Sequence, residues 1–370
     1  MIKEHCFTSK WMESFRERPE YKKLDINLLE KMIYALHLAE QLAFNGLDFV
    51  FKGGTSLLIL FDNMNRFSID IDIICKSGRE ELENVLDNVI KNSRFDYYKL
   101  DEHRSYKSGV PKAHYSFFFN STVPNKFTGS ILLDVLFEHP VYPRIAKKPV
   151  KTNWIETEGE VLVNMPSIES ITGDKLTAFA PHTIGVPYYK GKNSAALEII
   201  KQLYDLGLLF DLIKDLNEVL NSFQRFAERE ISYRNNLNYQ PALTPEEALK
   251  DTIRTCIIIV KRERNKEADL EKFRNLQSGL KALGSGYLTS GKFRIDEAVL
   301  SAGKTALLAS KILLKDTTGI IPYHPGMEDG SPIENPDWNF LNQFSRMKDK
   351  RTYYYWRQSV LLFDHITDLK

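Results

Sequence analysis

Strand-like alternation is confined to the first 166 residues of this 370-residue chain, and helical spacing fills nearly all the rest. One core rarely organises so long a chain, so the change of period near residue 166 marks a domain boundary. We therefore expect an α+β domain over 1–166 with N-terminal helices, then a mostly helical domain over 167–370. Asp25 caps a helix running to about Asn45, with Leu29, Met32, Ile33, Leu36 and Ala43 at helical spacing and Gly46 at its end. Strands are predicted over 48–52, 67–75, 97–101, 114–120, 129–138 and 159–165, and helices over 55–61 and 78–93. The basic, proline-bearing stretch 142–154 reads as a loop. Later helices are predicted over 167–181, 194–214, 216–231, 245–263, 268–283, 295–314 and 353–366, with a loop over 320–338.

The segment FKGGTSLLILFDNMNRFSIDIDII (51–74) places two aspartates inside an apolar run. Side chains two apart on a strand share a face, so Asp70 and Asp72 project together while Ile69, Ile71 and Ile73 line the buried face. Adjacent carboxylates repel, and a hard divalent cation such as Mg²⁺ relieves that repulsion through oxygen ligands. A sheet edge with both aspartates solvated is the plainer alternative. Two further features favour the cation. Gly53-Gly54-Thr55-Ser56 stands at a strand-to-helix junction, where bare backbone amides and a helix N-terminus can cradle phosphate. Asp134 interrupts ILLDVLFE, opposite an inward face of Ile131, Leu133, Val135 and Phe137. A third carboxylate on a neighbouring strand completes a two-metal site for phosphoryl chemistry. Lys52, just before the glycines, suits either phosphate contact or plain solvation.

Composition excludes few functions. Hydrophobic residues make up 43%, charged residues 27%, and the net charge is +1, so only local patches can select a polyanion. Three separated cysteines fit a reducing cytoplasm and have no metal-ligand spacing. The charged N-terminus is no signal peptide, and no apolar run is long enough to span a bilayer, so no membrane association is expected.

Gly-Gly, fifteen residues (55–69), Asp-x-Asp and a later apolar-Asp-apolar strand together resemble the polymerase-β-type nucleotidyltransferase superfamily. Within it the chain is similar to the AbiEii/AbiGii toxin family, which includes the MenT toxins. FKGGTSL and RFSIDIDI resemble its first two motifs, GDKLTAFA with Lys175 the third, and KQLYDLGLL with Asp205 the fourth. The resemblance implies a mixed-sheet catalytic core and a helical domain that completes the active site. It implies Mg²⁺ or Mn²⁺ on Asp70, Asp72 and Asp134, with Asp134 also a base, and β/γ-phosphates held by Gly53, Gly54, Thr55 and Ser56. Arg66 and Ser68 would flank the metals, Lys175 would neutralise phosphate, and Asp205 would orient Lys175 or a nucleotide group. The implied reaction moves an NMP from an NTP to an acceptor hydroxyl, a tRNA 3′ end, with a cognate antitoxin as partner in growth control or phage defence. Protein nucleotidylation and a non-catalytic module of the same fold are the alternatives. The chain departs from the family at Lys201-Gln202, where Arg-Asp is common, and in the long link around 181–194.

Other features read as structural. AVLSAGKT (298–305) lacks the first glycine of a phosphate loop and any preceding strand. TYYYW (352–356) reads as helix packing rather than base stacking. The stretches 104–114 and 143–151 are candidate RNA contacts through Arg104, Lys107, Lys112, Arg144, Lys147, Lys148 and Lys151.

Overall fold

A computed structural model describes residues 1–61, 64–105, 109–124, 126–235, 243–327 and 331–369; Lys107 lies outside the described residues. The chain forms two compact units, Met1–Ser167 with Gly286–Gly291, and Ile168–Ser285 with Lys292–Lys370.

The first unit is built on strands β1 (Phe49–Lys52), β2 (Ile71–Cys75), β3 (Tyr97–Leu100), β4 (Lys112–Asn120), β5 (Thr128–Phe137), β6 (Ile145–Pro149) and β7 (Leu162–Pro166). They form one mixed sheet in the order β3-β4-β5-β2-β1-β7-β6, with β2 parallel to β5 and β1 parallel to β7. Helices α1 (Ser9–Ser14), α2 (Ile26–Phe44), α3 (Gly53–Leu60), α4 (Arg79–Asn92) and α5 (Glu102–Ser105) complete it. The Asp25 carboxylate caps α2, accepting from the N–H groups of Asn27 (2.9 Å) and Leu28 (3.3 Å). Tyr34 of α2 stacks on Phe119 of β4 with ring centroids 3.6 Å apart, so the helix lies over the buried face of the sheet. Central β1 buries Phe49, Val50 and Phe51 in succession, as a strand covered on both faces does. In β5, Ile131, Leu133 and Val135 are buried and Asp134 points to the other face, as its alternation predicts.

Two expectations need correction. The strand predicted over 67–75 begins only at Ile71, leaving Asp70 one residue before it and Ile69 half-buried. Phe67 instead pairs elsewhere: its N–H donates to the Tyr287 carbonyl (2.9 Å), and Arg66 bridges Leu288. The predicted loop over 142–154 contains the edge strand β6. Lys147 and Lys148 are exposed on it, and lysines on an edge discourage further strand pairing. Basic residues and proline disguise a strand of this kind.

The second unit comprises α6 (Ile168–Ala178), α7 (Ala196–Leu209), α8 (Leu216–Asn235), α9 (Pro245–Lys261), α10 (Glu267–Ala282), α11 (Ile295–Leu313) and α12 (Arg351–Phe363). A short hairpin, β8 (Tyr189–Lys190) with β9 (Asn193–Ser194), interrupts them. AVLSAGKT lies inside α11, a helix buried over most of its surface. Lys304 there pairs with Asp211 at 2.6 Å, so the segment is core and holds no phosphate. Tyr353, Tyr355 and Trp356 of α12 are buried, and the Trp356 indole N–H donates to the Val299 carbonyl at 2.9 Å. Packing, not base stacking, accounts for them. Among the described residues no helix is long and apolar enough to cross a membrane.

Candidate active site

Register puts four side chains in one row across the sheet. His114 of β4 pairs with Asp134 of β5, Asp134 with Asp72 of β2, and Asp72 with Lys52 of β1. Direct register partners share a face, so two carboxylates stand side by side between a lysine and a histidine. Two charges one strand spacing apart repel by about 1–4 kcal/mol for effective dielectrics between about 80 and 20. Asp70 and Asp72 are half-buried, and the Asp134 side chain keeps 28% of its exposure. Solvated carboxylates of this kind remain reachable by a ligand.

The turn before α3 is shaped by its glycines. Gly53 has φ +75°, a left-handed conformation that favours glycine, and a Cβ there would collide with the Asp72 carboxylate. The acidic group therefore lies directly against the bare start of α3. Gly54 is crowded to a lesser degree, since a Cβ would stand 2.8 Å from Ser68 Oγ and 2.9 Å from an Arg66 guanidinium nitrogen. Thr55 and Ser56 are buried and use their hydroxyls locally. Thr55 donates to the Asp70 carbonyl at 2.5 Å and Ser56 to the Gly53 carbonyl at 2.9 Å. Their contribution to an anion site therefore comes from backbone N–H groups. Arg66 is 1% exposed and donates to the Phe67 carbonyl at 3.1 Å, so it buttresses the turn from within. Lys52 places its ammonium 6.0 Å from the Tyr142 ring centroid.

Asp134 is held on both oxygens. His114 Nδ1 lies 2.5 Å from Oδ1, and an Arg104 guanidinium nitrogen lies 3.6 Å from Oδ2. Arg104, predicted as an RNA contact, thus has its charge engaged by this carboxylate. Among the described residues, no three His, Cys, Asp or Glu side chains gather into a metal cage. Asp72 and Asp134 nevertheless fit Mg²⁺, which is commonly bound by one or two carboxylates, waters and substrate phosphates rather than by a protein-only cage.

In the helical unit the third and fourth motifs meet each other. The Lys175 ammonium of α6 is 2.7 Å from Asp205 Oδ2 and donates to Gln202 Oε1 at 3.0 Å, both on α7. The Lys175 side chain is 6% exposed and that of Asp205 0%, so this is a buried ion pair. Gly173 explains part of GDKLTAFA: a Cβ there would stand 2.5 Å from the Phe223 backbone nitrogen, so glycine lets α6 and α8 approach.

The family described as "Nucleotidyl transferase AbiEii toxin, Type IV TA system" matches residues 37–282, about two thirds of the chain. The chain belongs to the AbiEii toxin family. It is accordingly a nucleotidyltransferase, and the Gly-Gly, Asp-x-Asp, Lys175 and Asp205 motifs all fall within the AbiEii match. Among solved structures it is similar to MenT4, a nucleotidyltransferase toxin from Mycobacterium tuberculosis H37Rv, at 14% identity and TM-score 0.44, covering 75% of this chain and 99% of that one. A candidate nucleotidyltransferase from H. pylori aligns at 18% identity and TM-score 0.38, covering 78% and 94%. An antigenic nucleotidyltransferase-like protein from Paracoccidioides brasiliensis aligns at 14% and 0.34, covering 56% and 92%. No curated protein matches the chain.

Sequence reasoning missed His114 and Gln202 as neighbours of the motif residues. His114 left one trace, a polar residue in the apolar strand HYSFFFN. Its partner depends on strand register, which no local pattern encodes. Gln202 was visible only as a departure from the family's usual Arg-Asp.

Proposed function

We propose that this AbiEii-family toxin transfers an NMP from an NTP to the 3′-terminal hydroxyl of a tRNA, in a reaction dependent on Mg²⁺ or Mn²⁺. The acceptor oxygen attacks the α-phosphorus, the bond to the bridging oxygen of the β-phosphate breaks, and pyrophosphate leaves. The observation that carries this reading is the register pairing of Asp72 with Asp134 beside the bare Gly53 turn. Asp72 and Asp134 are the residues that would hold the cation, with Asp70, one residue before β2, a further ligand candidate; the cation when bound would neutralise their charge and draw electron density from the phosphate oxygens. The backbone N–H groups from Gly53 to Ser56 receive the β/γ-phosphates at the start of α3. Lys52 and Ser68 border that turn, and buried Arg66 keeps its shape. Asp134 is the base that receives the acceptor's proton. The setting is the cytoplasm, and the protein partner is a cognate antitoxin.

The test is incubation of the purified protein with each labelled NTP, Mg²⁺ or Mn²⁺, and total RNA. Label in tRNA-sized RNA, absent with Asp72→Asn, is the expected result. Label in protein alone would replace the acceptor by a protein hydroxyl, and label in neither would overturn the reading.

A further inference from the structure

His114 is the best-defined neighbour of the carboxylate row that carries no assigned part. It lies in β4 directly across from Asp134, with its side chain 10% exposed. Its backbone is fixed on both sides: its N–H donates to Ser105 Oγ at 2.9 Å, and its carbonyl accepts from the Asp101 N–H at 2.8 Å. Burial encloses the ring that this backbone carries. Nδ1 meets Asp134 Oδ1 at 2.5 Å, and because an ionised carboxylate only accepts, Nδ1 carries the proton. The other nitrogen, Nε2, is buried with no hydrogen-bond partner among the described residues. Among the described residues, the ring's one hydrogen bond thus engages the carboxylate. Arg104 takes the opposite oxygen at 3.6 Å, a longer and more exposed contact.

We infer that His114 is a positioning residue for the transferase reaction. It holds Oδ1 of Asp134, so that the carboxylate keeps one orientation toward its register partner Asp72 despite their mutual repulsion. Groups that hold a ligating side chain commonly matter nearly as much as the ligand itself. The inference rests on the proposed role of Asp134. It names no new ligand and requires no change in the ionisation of the ring.

The experiment compares three variants. Asparagine places its amide near the position of Nδ1, glutamine reaches toward the position of Nε2, and leucine donates nothing. Transfer is read as kcat and NTP KM, and Mn²⁺ affinity is read by electron paramagnetic resonance without NTP. His114→Leu and His114→Gln should lower kcat and Mn²⁺ affinity by about 10–100-fold, leaving the KM for NTP within about twofold. His114→Asn should restore most of both. If leucine fails to fold, the asparagine and glutamine pair decides. Equal losses in all variants would make His114 a packing residue and overturn the inference, as would unchanged kcat and Mn²⁺ affinity in His114→Gln. Asp72→Asn is the control for the underlying reading. If it lowers Mn²⁺ affinity while His114→Gln does not, only the inference falls. If Asp72→Asn changes neither transfer nor Mn²⁺ affinity, the proposed site falls with it.

Discussion

The two sets of motif residues sit in opposite electrostatic settings. In the sheet, like charges stand side by side and half-exposed, with Asp72 and Asp134 adjacent in register. In the helical unit, opposite charges are enclosed, with Lys175 and Asp205 2.7 Å apart and almost no exposure. In the first arrangement the adjacent carboxylates stand half-exposed between Lys52 and His114, within reach of a cation. The second loses stability when either partner is removed, because the survivor stays buried without the opposite charge 2.7 Å away. Loss of activity therefore means different things in the two regions. In the sheet it reports on the reaction, whereas in the helices it must first be separated from loss of the fold.

The largest expected effect tests the sheet. Asp70→Asn and Asp72→Asn should each lower transfer by about 10³-fold or more, a loss on the scale of removing preorganised charge stabilisation from an active site. Their unfolding free energy should fall by less than it does when the enclosed Lys175–Asp205 pair is broken, because both carboxylates are half-buried rather than enclosed. Urea unfolding beside a transfer assay measures both, and a marked fall in stability would erase the contrast between the regions.

Asp205→Ala should show the opposite balance. Exposing Lys175 to a buried site without its carboxylate should cost about 3–5 kcal/mol of stability. The double variant Asp205→Leu with Lys175→Met should recover much of that, because it removes both charges. Denaturation midpoints that leave the double variant as unstable as the single one would contradict the buried-pair account.

A second enclosed carboxylate sharpens the same point. Burial pushes Asp251 up to about 6, against hydrogen bonds to Oδ2 from the N–H groups of His182 and Thr183 and the Thr183 hydroxyl. Its folded pKa lies above the unfolded value, so its contribution is fully present below about pH 4 and is lost as pH rises through about 6. The shift corresponds to about 3 kcal/mol at neutral pH. Asp251→Asn should flatten stability across that window, as measured by denaturation at several pH values.

Gly53→Ala should cost about 1–3 kcal/mol through backbone strain, and should displace the Asp72 carboxylate. Reduced Mn²⁺ affinity accompanying a modest fall in melting temperature is the expected signature. An alanine variant with wild-type metal binding would show that the turn does not set the carboxylate.

The smallest effect concerns the edge strand. Lys147 and Lys148 are neighbours on β6, so their side chains point to opposite faces. One RNA strand lying on either face meets only part of this charge. Neutralising Lys147, Lys148 and Lys151 together should therefore reduce the salt slope of RNA binding by about 1 rather than by about 2, the value for three phosphate contacts. A reduction near 2 would mean that RNA wraps the edge.

Much of the fold was legible because periodicity is local. The alternation of Ile131, Leu133 and Val135 around Asp134, the cap at Asp25 and the helical spacing of 295–314 each follow from neighbouring residues. The candidate carboxylates were legible for the same reason, as charges inside apolar strands. The sequence by itself thus determined which residues are out of place in their strands and helices, and hence where to look. Tertiary structure alone decided what each one meets. Register across four strands brought His114 to Asp134, Asp134 to Asp72 and Asp72 to Lys52. Helix packing enclosed Lys175 with Asp205 and Gln202. Pairing with residues 65–67 put Gly286–Gly291 in the first unit and kept Phe67 out of β2. The physical reason is that periodicity fixes only the direction of a side chain from its own backbone. Its partner is fixed by hydrogen-bond register and close packing between segments distant in the chain, and these enter the free energy only once the whole unit has formed.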